Sequence, residues 1–262
     1  MSLWQRRLGG AIAIAAVGAA AVGMSGSPRT RVTRGECRAV NGAQVCAWAE
    51  ESNNALRSFG VTVPIQAIQN APEDGPMVWP PVPAATIPLP EVVRVSTGFD
   101  NLTVYWEPHG HPPGPFLAPH FDFHFNSIST ADIAAIDCAD LAKPSRTAAR
   151  YELPDVAIPD MGTLIGLCVP GMGMHSLLSS DLHSSTTFLK TMVLGYYHAR
   201  PIFVEPMITR ATLLERRSFT LSVPQVPDEP VGMHAPGGFR ADYDRNAQSY
   251  RFVFTTPTDG TR

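Results

Sequence analysis

The stretch Pro119-His120-Phe121-Asp122-Phe123-His124-Phe125-Asn126 alternates polar and aromatic side chains from His120 onward without a break. Period two is the period of a β-strand, whose successive side chains leave the backbone on opposite faces. Read this way, Phe121, Phe123 and Phe125 line one face and anchor in a core, and His120, Asp122, His124 and Asn126 line the other. Just upstream, Trp106-Glu107-Pro108-His109-Gly110-His111-Pro112-Pro113 adds two more histidines. Half of the chain's eight histidines therefore fall within sixteen residues, which is where function is to be sought.

The surrounding sequence carries the same β signature. Leu102 to Trp106 is short and apolar. Phe188 to Tyr197 and Pro201 to Ile208 flank His198-Ala199-Arg200 as a hairpin, Phe219 to Val223 is a further strand, and Phe239 to Tyr243 with Ser249 to Thr255 form a last hairpin around Asp244 to Gln248. The chain's 25 prolines argue against long helices. Helix signals are confined to Ala47–Phe59 and to a segment capped by Ser129 or Thr130 and running to Ile136. Residues 141–174 read as an irregular crossover. The expected fold class is mainly β, an antiparallel sandwich or barrel-like domain with few short helices.

Arg6 and Arg7, an Ala/Gly-rich apolar run from Leu8 to Val22, and the small residues Ser25-Gly26-Ser27 follow the order of a secretory signal peptide. The run is short and glycine-rich for a membrane span, so no stable span is expected after cleavage. The expected organisation is a signal peptide over 1–26, an N-terminal extension with a Pro-rich linker over 27–84, a β-rich domain over 85–256 and a tail over 257–262. Localisation is then periplasmic or extracellular. In that oxidising setting four cysteines suit two disulfides, and Cys37–Cys46 with Cys138–Cys168 is the favoured pairing among three. Cysteine spacing of the zinc-site kind is absent. A formal net charge of −3 offers no basic footprint for nucleic acid. A homo-oligomer and an unidentified small-molecule ligand are the partners left to consider.

His120, Asp122 and His124 are the leading candidates for chemistry. Same-face neighbours on a strand stand about 6.6 Å apart, which suits shared ligation of one ion, whereas positions four apart stand at about 13 Å. Further ligands must come from elsewhere. His175 follows the turn Gly171-Met172-Gly173-Met174, and Glu205 lies inside the apolar run Ile202 to Met207, where a carboxylate must be paired, ligated or protonated. The expected ligand set is His120, His124, His175 and Glu205, with Glu205 or Asp122 as catalytic base, and with His109 and His111 lining the site from a Pro/Gly-rich loop. Such a nitrogen and oxygen set suits one divalent transition metal: zinc, copper, iron or manganese. Each group also has a plainer reading. His and Asp on the strand can satisfy one another, Glu205 can pair with Arg200 or Arg210, and His109 and His111 can pack on proline. No nucleophile elbow, H-E-x-x-H motif or phosphate loop is present.

Taken in order, the motifs around His109-Gly110-His111, Pro119 to Phe125, Gly171 to His175 and Glu205-Pro206-Met207-Ile208-Thr209 resemble a bacterial family of unknown function typified by a hypothetical Thermus thermophilus protein. The likeness covers residues 85–256 and implies an exported β-rich domain, without supplying a reaction. The functional expectation is an exported metal-binding domain with hydrolytic or redox chemistry. The alternative is a non-catalytic envelope protein, structural, interacting or stress-related, in which the same groups form a buried hydrogen-bond network.

Overall fold

A computed structural model describes residues 29–76, 78–159, 161–227 and 233–256. The signal peptide and the tail expected from the sequence lie outside these residues. The strands in chain order are β1 (Thr30–Val40), β2 (Ala43–Ser52), β3 (Ala55–Pro64), β4 (Ala85–Pro88), β5 (Asn101–Glu107), β6 (His120–Asn126), β7 (Tyr151–Glu152), β8 (Val156–Ile158), β9 (Gly162–Leu164), β10 (Met174–Leu178), β11 (Lys190–Tyr197), β12 (Arg200–Thr209), β13 (Phe219–Leu221), β14 (Gly238–Asp244) and β15 (Ser249–Thr255). They form a six-stranded sheet, β1-β2-β3-β15-β14-β13, a seven-stranded sheet, β4-β5-β6-β12-β11-β10-β7, and a small β8-β9 pair. Every pairing is antiparallel. The protein is mainly β and sandwich-like, and its sheets are not closed into a barrel. Helices are short. Among them α1 (Ile65–Gln69) and α2 (Glu91–Thr97) precede β4 and β5, and α3 (Thr130–Ala134) starts at Ser129, whose side chain accepts from the Asp132 amide in a capping box.

Aromatic rows hold the two large sheets together. Phe121, Phe123 and Phe125 of β6 point into the main core as their alternation requires. Phe123 meets Phe252 edge-on at 4.8 Å, and Phe125 meets Phe254 edge-on at 4.8 Å. The facing strand β15 shows the same alternation, with Tyr250, Phe252 and Phe254 inward. Rings of this size supply much of the apolar burial that stabilises the sandwich, and edge-on pairs add about 0.5–1.5 kcal/mol each.

Two expectations are corrected by the structure. Ala47–Phe59 is not a helix: it spans the end of β2, a tight turn at Asn53-Asn54 and the start of β3. Both asparagines take positive φ (53° and 62°), the conformation a two-residue hairpin turn demands and asparagine tolerates. β1–β3, which fall within the expected N-terminal extension 27–84, are likewise no appendage to the β-rich domain. β3 pairs with β15 from Ser58↔Thr255 to Pro64↔Ser249, so β1–β3 supply half of the six-stranded sheet. The reason is that β15 would otherwise be left with an open edge, which β3 covers. The Pro-rich segment then crosses to the other sheet, fixed where Trp106 Nε1 donates to the Pro72 carbonyl at 2.8 Å.

β6 is buried along its entire length, on both faces. Its polar face is covered because a third layer lies over the seven-stranded sheet. A second, smaller apolar cluster joins Val193, Phe203 and Met207 of that sheet to Phe116, Ile136, Val156, Leu167 and Phe188 of the covering segments. Both expected disulfides are present: Cys37–Cys46 joins facing residues of β1 and β2, and Cys138–Cys168 staples the cover. Both fit an oxidising compartment. Among the described residues, no helix is long and apolar enough to cross a membrane.

Candidate metal centre

Strand register gathers the site. β5, β6, β12, β11 and β10 lie side by side, and their outward-facing residues converge beneath the cover. Tyr105 of β5 faces Asp122 of β6, and Met207 of β12 faces Asp122 from the other side. His175 of β10 faces Gly195 of β11, which faces Phe203 of β12. Gly195 is what allows this row to close: a Cβ there would stand 1.9 Å from the Phe203 ring. With that space open, the Phe203 ring stacks on His124 at 4.3 Å and meets His175 at 5.3 Å.

The result is two groups of three. His124, His175 and Glu205 bring one ligand atom each to within 4.8 Å of one another, and so do His111, His120 and Asp122. The single set His120, His124, His175 and Glu205 expected from the sequence is thus divided: His120 stands with Asp122 and His111, not with the other three. The strand rise explains the division, since His120 and His124 are four positions apart on an unbulged β6. His111 belongs to a ligand group, beyond the lining role given to it. Its loop reaches the sheet because Gly110 has a φ of +65° and packs so closely that a Cβ would stand 2.2 Å from the Phe116 carbonyl oxygen. His109 is exposed, donates to the Gly75 carbonyl at 2.9 Å and belongs to neither group. Asn126 has a structural role, donating to Asn101 and Thr103.

Burial sets the electrostatics. Glu205 is 1% exposed, His120 0%, His124 2%, Asp122 4% and His175 7%. Burial lowers all four imidazoles, His124 and His175 to about 3 and His120 well below its usual range, helped there by neighbouring His111. The rings are therefore neutral. The tautomers of three are fixed from outside: the Nδ1–H of His120 donates to the Ala118 carbonyl at 2.6 Å, that of His111 to Pro112 at 2.9 Å, and that of His175 to Leu167 at 3.1 Å. Each Nε2 is left as a bare lone pair, as in histidines oriented for metal binding. Burial also raises Asp122 and Glu205 well above the usual carboxylate range, Asp122 further through the charges of Glu205 and Glu107. The two carboxyl groups are in mutual hydrogen-bonding contact. Glu107 is pushed up to about 7, first by burial and then by Glu205, and Tyr105 is raised by burial and the same carboxylates, so it keeps its proton.

These groups lack ordinary partners. Arg210, a candidate partner for Glu205, instead donates to Glu73 and to the carbonyls of Ile68 and Gln69, and Arg200 is exposed. Nε2 of His120 and His124, Oδ1 of Asp122 and Oε2 of Glu205 are buried with no hydrogen-bond partner. His120 Nε2 stands 3.3 Å from Asp122 Oδ1, and His124 Nε2 stands 3.4 Å from Glu205 Oε1. Two ligands about 2.1 Å from one ion at a tetrahedral angle stand about 3.4 Å apart. The buried His/Glu/Asp groups thus have the donor set and the spacing to hold a metal ion.

A cavity of about 270 Å³ leads to this floor. Asp122, His175, His111 and Glu107 line its polar end. Val78, Trp79, Leu117 and Met161, all exposed apolar side chains, line it together with buried Leu167, Val169 and Met172. Glu107 and Tyr105 were not picked out from the sequence as site residues. The signal available for Glu107 was its place two residues before His109. Tyr105 becomes visible only through the β5–β6 register. His183 and His198 form exposed pairs with Glu152 and Asp140, away from the site. Compared with protein-family models, with curated proteins and with solved structures, the chain matches none.

Proposed function

We propose that the protein is an exported metalloprotein in which His124, His175 and Glu205 hold a divalent transition metal at the base of an apolar cleft. The carrying observation is that His124 Nε2 faces Glu205 Oε1 at ligand spacing in a buried site where His124 Nε2 and Glu205 Oε2 have no hydrogen-bond partner. Two histidines and one carboxylate leave coordination positions open, the donor set of catalytic zinc sites and of non-haem iron sites. A metal there supplies Lewis acidity for hydrolysis or a redox centre for oxygen chemistry. Asp122 is placed to move a proton, since it touches Glu205 and borders the cleft. The apolar lining selects a small, largely uncharged molecule, and Glu107 offers it a polar contact.

The alternative is an ion-free network in which Asp122 and Glu205 share a proton, and their mutual contact is the observation that favours it. Elemental analysis decides between the two. Protein exported by its own signal and purified without an affinity tag is expected to carry transition metal in stoichiometric amount, and His124→Ala/His175→Ala protein is expected to lose it. Protein that takes up none of zinc, iron, copper or manganese, even on reconstitution, refutes the metal reading.

A further inference from the structure

We infer that this sheet face is built for two ions, the second held by His111, His120 and Asp122. The inference rests on the metal reading above and extends it. A single ion at His124, His175 and Glu205 gives no role to His111 or to the bare Nε2 of His120. His120 Nε2 and Asp122 Oδ1 are buried, 3.3 Å apart and without partners. With its Nδ1–H committed to the Ala118 carbonyl, His120 has no proton at Nε2 to give Asp122. At 3.3 Å the two atoms stand at the spacing of neighbouring ligands on one cation. His111 completes the set, with its ring edge-on to His120 at 4.8 Å and its own Nδ1 tied to Pro112.

The surroundings are acidic. Asp122, Glu205 and Glu107 share this patch, and among the described residues no Lys or Arg is paired with any of them. With all three ionised, one divalent ion leaves the patch at about −1 and two take it to about +1, so it holds either number without a large net charge. Asp122 and Glu205 touch, so the two ligand sets share an edge, in keeping with the separation of about 3.5–4 Å usual in two-metal sites. The sites are unequal. The deep one rests on three strands, whereas the outer one borrows His111 from a loop at the cleft. The outer ion therefore binds second and more weakly. Facing the cleft together, the pair suits a small substrate whose oxygen atom is gripped from both sides.

The test is equilibrium dialysis of the metal-stripped full chain against zinc, with manganese loading followed by electron paramagnetic resonance. Two equivalents in the wild type, falling to one in His111→Ala, with an exchange-coupled manganese spectrum in the wild type, is the expected result. One equivalent with an isolated six-line spectrum overturns the second site and leaves the proposed function standing. No uptake overturns both. Two equivalents that persist in His111→Ala place the second ion elsewhere and also overturn the inference. The spectrum needs no variant, so misfolding of His111→Ala does not shield the claim.

Discussion

Glu205→Gln separates a metal ligand from a member of a polar network by stability alone. Burial keeps the Glu205 carboxyl protonated in ion-free protein, and a neutral amide has the same shape. Ion-free stability should therefore change by less than about 1.5 kcal/mol, the usual limit for a volume-conserving swap. The ion-bound protein behaves differently. Metal at 100 times its dissociation constant adds about 2.7 kcal/mol, and a domain of this size gains roughly 2–4 °C per kcal/mol, so loading should raise Tm by about 5–11 °C. Glu205 Oε1 lies 3.4 Å from His124 Nε2, and exchanging the anionic oxygen for an amide removes the charge at that position. Changes to groups that merely orient ligands already reach about 100-fold in affinity. A loss of that size cuts the increment to about 0.4 kcal/mol, a Tm rise of about 1 °C. Calorimetry of both proteins, with zinc and with chelator, gives the four melting temperatures required. The reasoning is refuted by equal metal-dependent increments in the two proteins. It is refuted equally by a Glu205→Gln loss of several kcal/mol in the chelated state, because the carboxyl would then serve the ion-free fold.

Phe123→Ala, on the opposite face of β6 and edge-on to Phe252, should cost about 3–5 kcal/mol in denaturant melts while leaving metal stoichiometry in dialysis unchanged. Gly195→Ala should cost about 1–3 kcal/mol through overpacking and also weaken metal binding, because the displaced Phe203 ring is the one stacked on His124; Gly238→Ala, whose Cβ meets nothing nearer than 3.4 Å, should change neither. With His124 and His175 neutral above about pH 5 and the carboxyls of Asp122 and Glu205 raised, metal binding should release protons and strengthen with pH by up to about tenfold per unit for each proton released; calorimetric titration in two buffers of different ionisation enthalpy reads the release, and a pH-independent affinity between pH 5 and 7 contradicts it. Opening Cys138–Cys168, whose partners lie 30 residues apart, should cost about 3.5 kcal/mol on the chain-entropy account, and a Cys138→Ser/Cys168→Ser protein should also bind metal less tightly, since the neighbouring Leu167 carbonyl holds the His175 ring.

The parts of the fold legible in the sequence are those where one local period determines the outcome. The alternation of β6, the hairpin β11-β12 and the hairpin β14-β15 are all strands bounded by turn residues, and they form as read. The misread segment, Ala47–Phe59, fails because Trp48, Ala55, Leu56 and Phe59 also fit a helical spacing, and only the Asn53-Asn54 turn decides against it. The place of β1–β3 in the main sheet was not legible at all, since β3 joins β15 across nearly the whole chain and no local pattern encodes that partner. The site follows the same rule. Ligand types on β6, β10 and β12 were visible one strand at a time. Their division into two triads depends on lateral register and on the reach of the His111 loop, which are properties of the assembled sheet.

The polar face of β6 also fixes the fold that holds it. A slip of one residue would turn His120, Asp122 and His124 into the aromatic layer formed with Phe252 and Phe254, and would turn three phenylalanines toward the cleft. In most sheets the wrong register is penalised by exposing apolar side chains to water. Here both faces are covered, so exposure gives weaker discrimination. The penalty comes instead from burying an ionisable row where no imidazole, carboxylate or ion can meet it. In the native register each member of that row has a counterpart on a neighbouring strand or loop: Glu205 for His124, Tyr105 for Asp122, and His111 for His120. Site and register are therefore one arrangement. These groups are costly to bury anywhere except opposite one another, and this fixes both the pairing of β6 with its neighbours and the place where groups able to hold an ion meet.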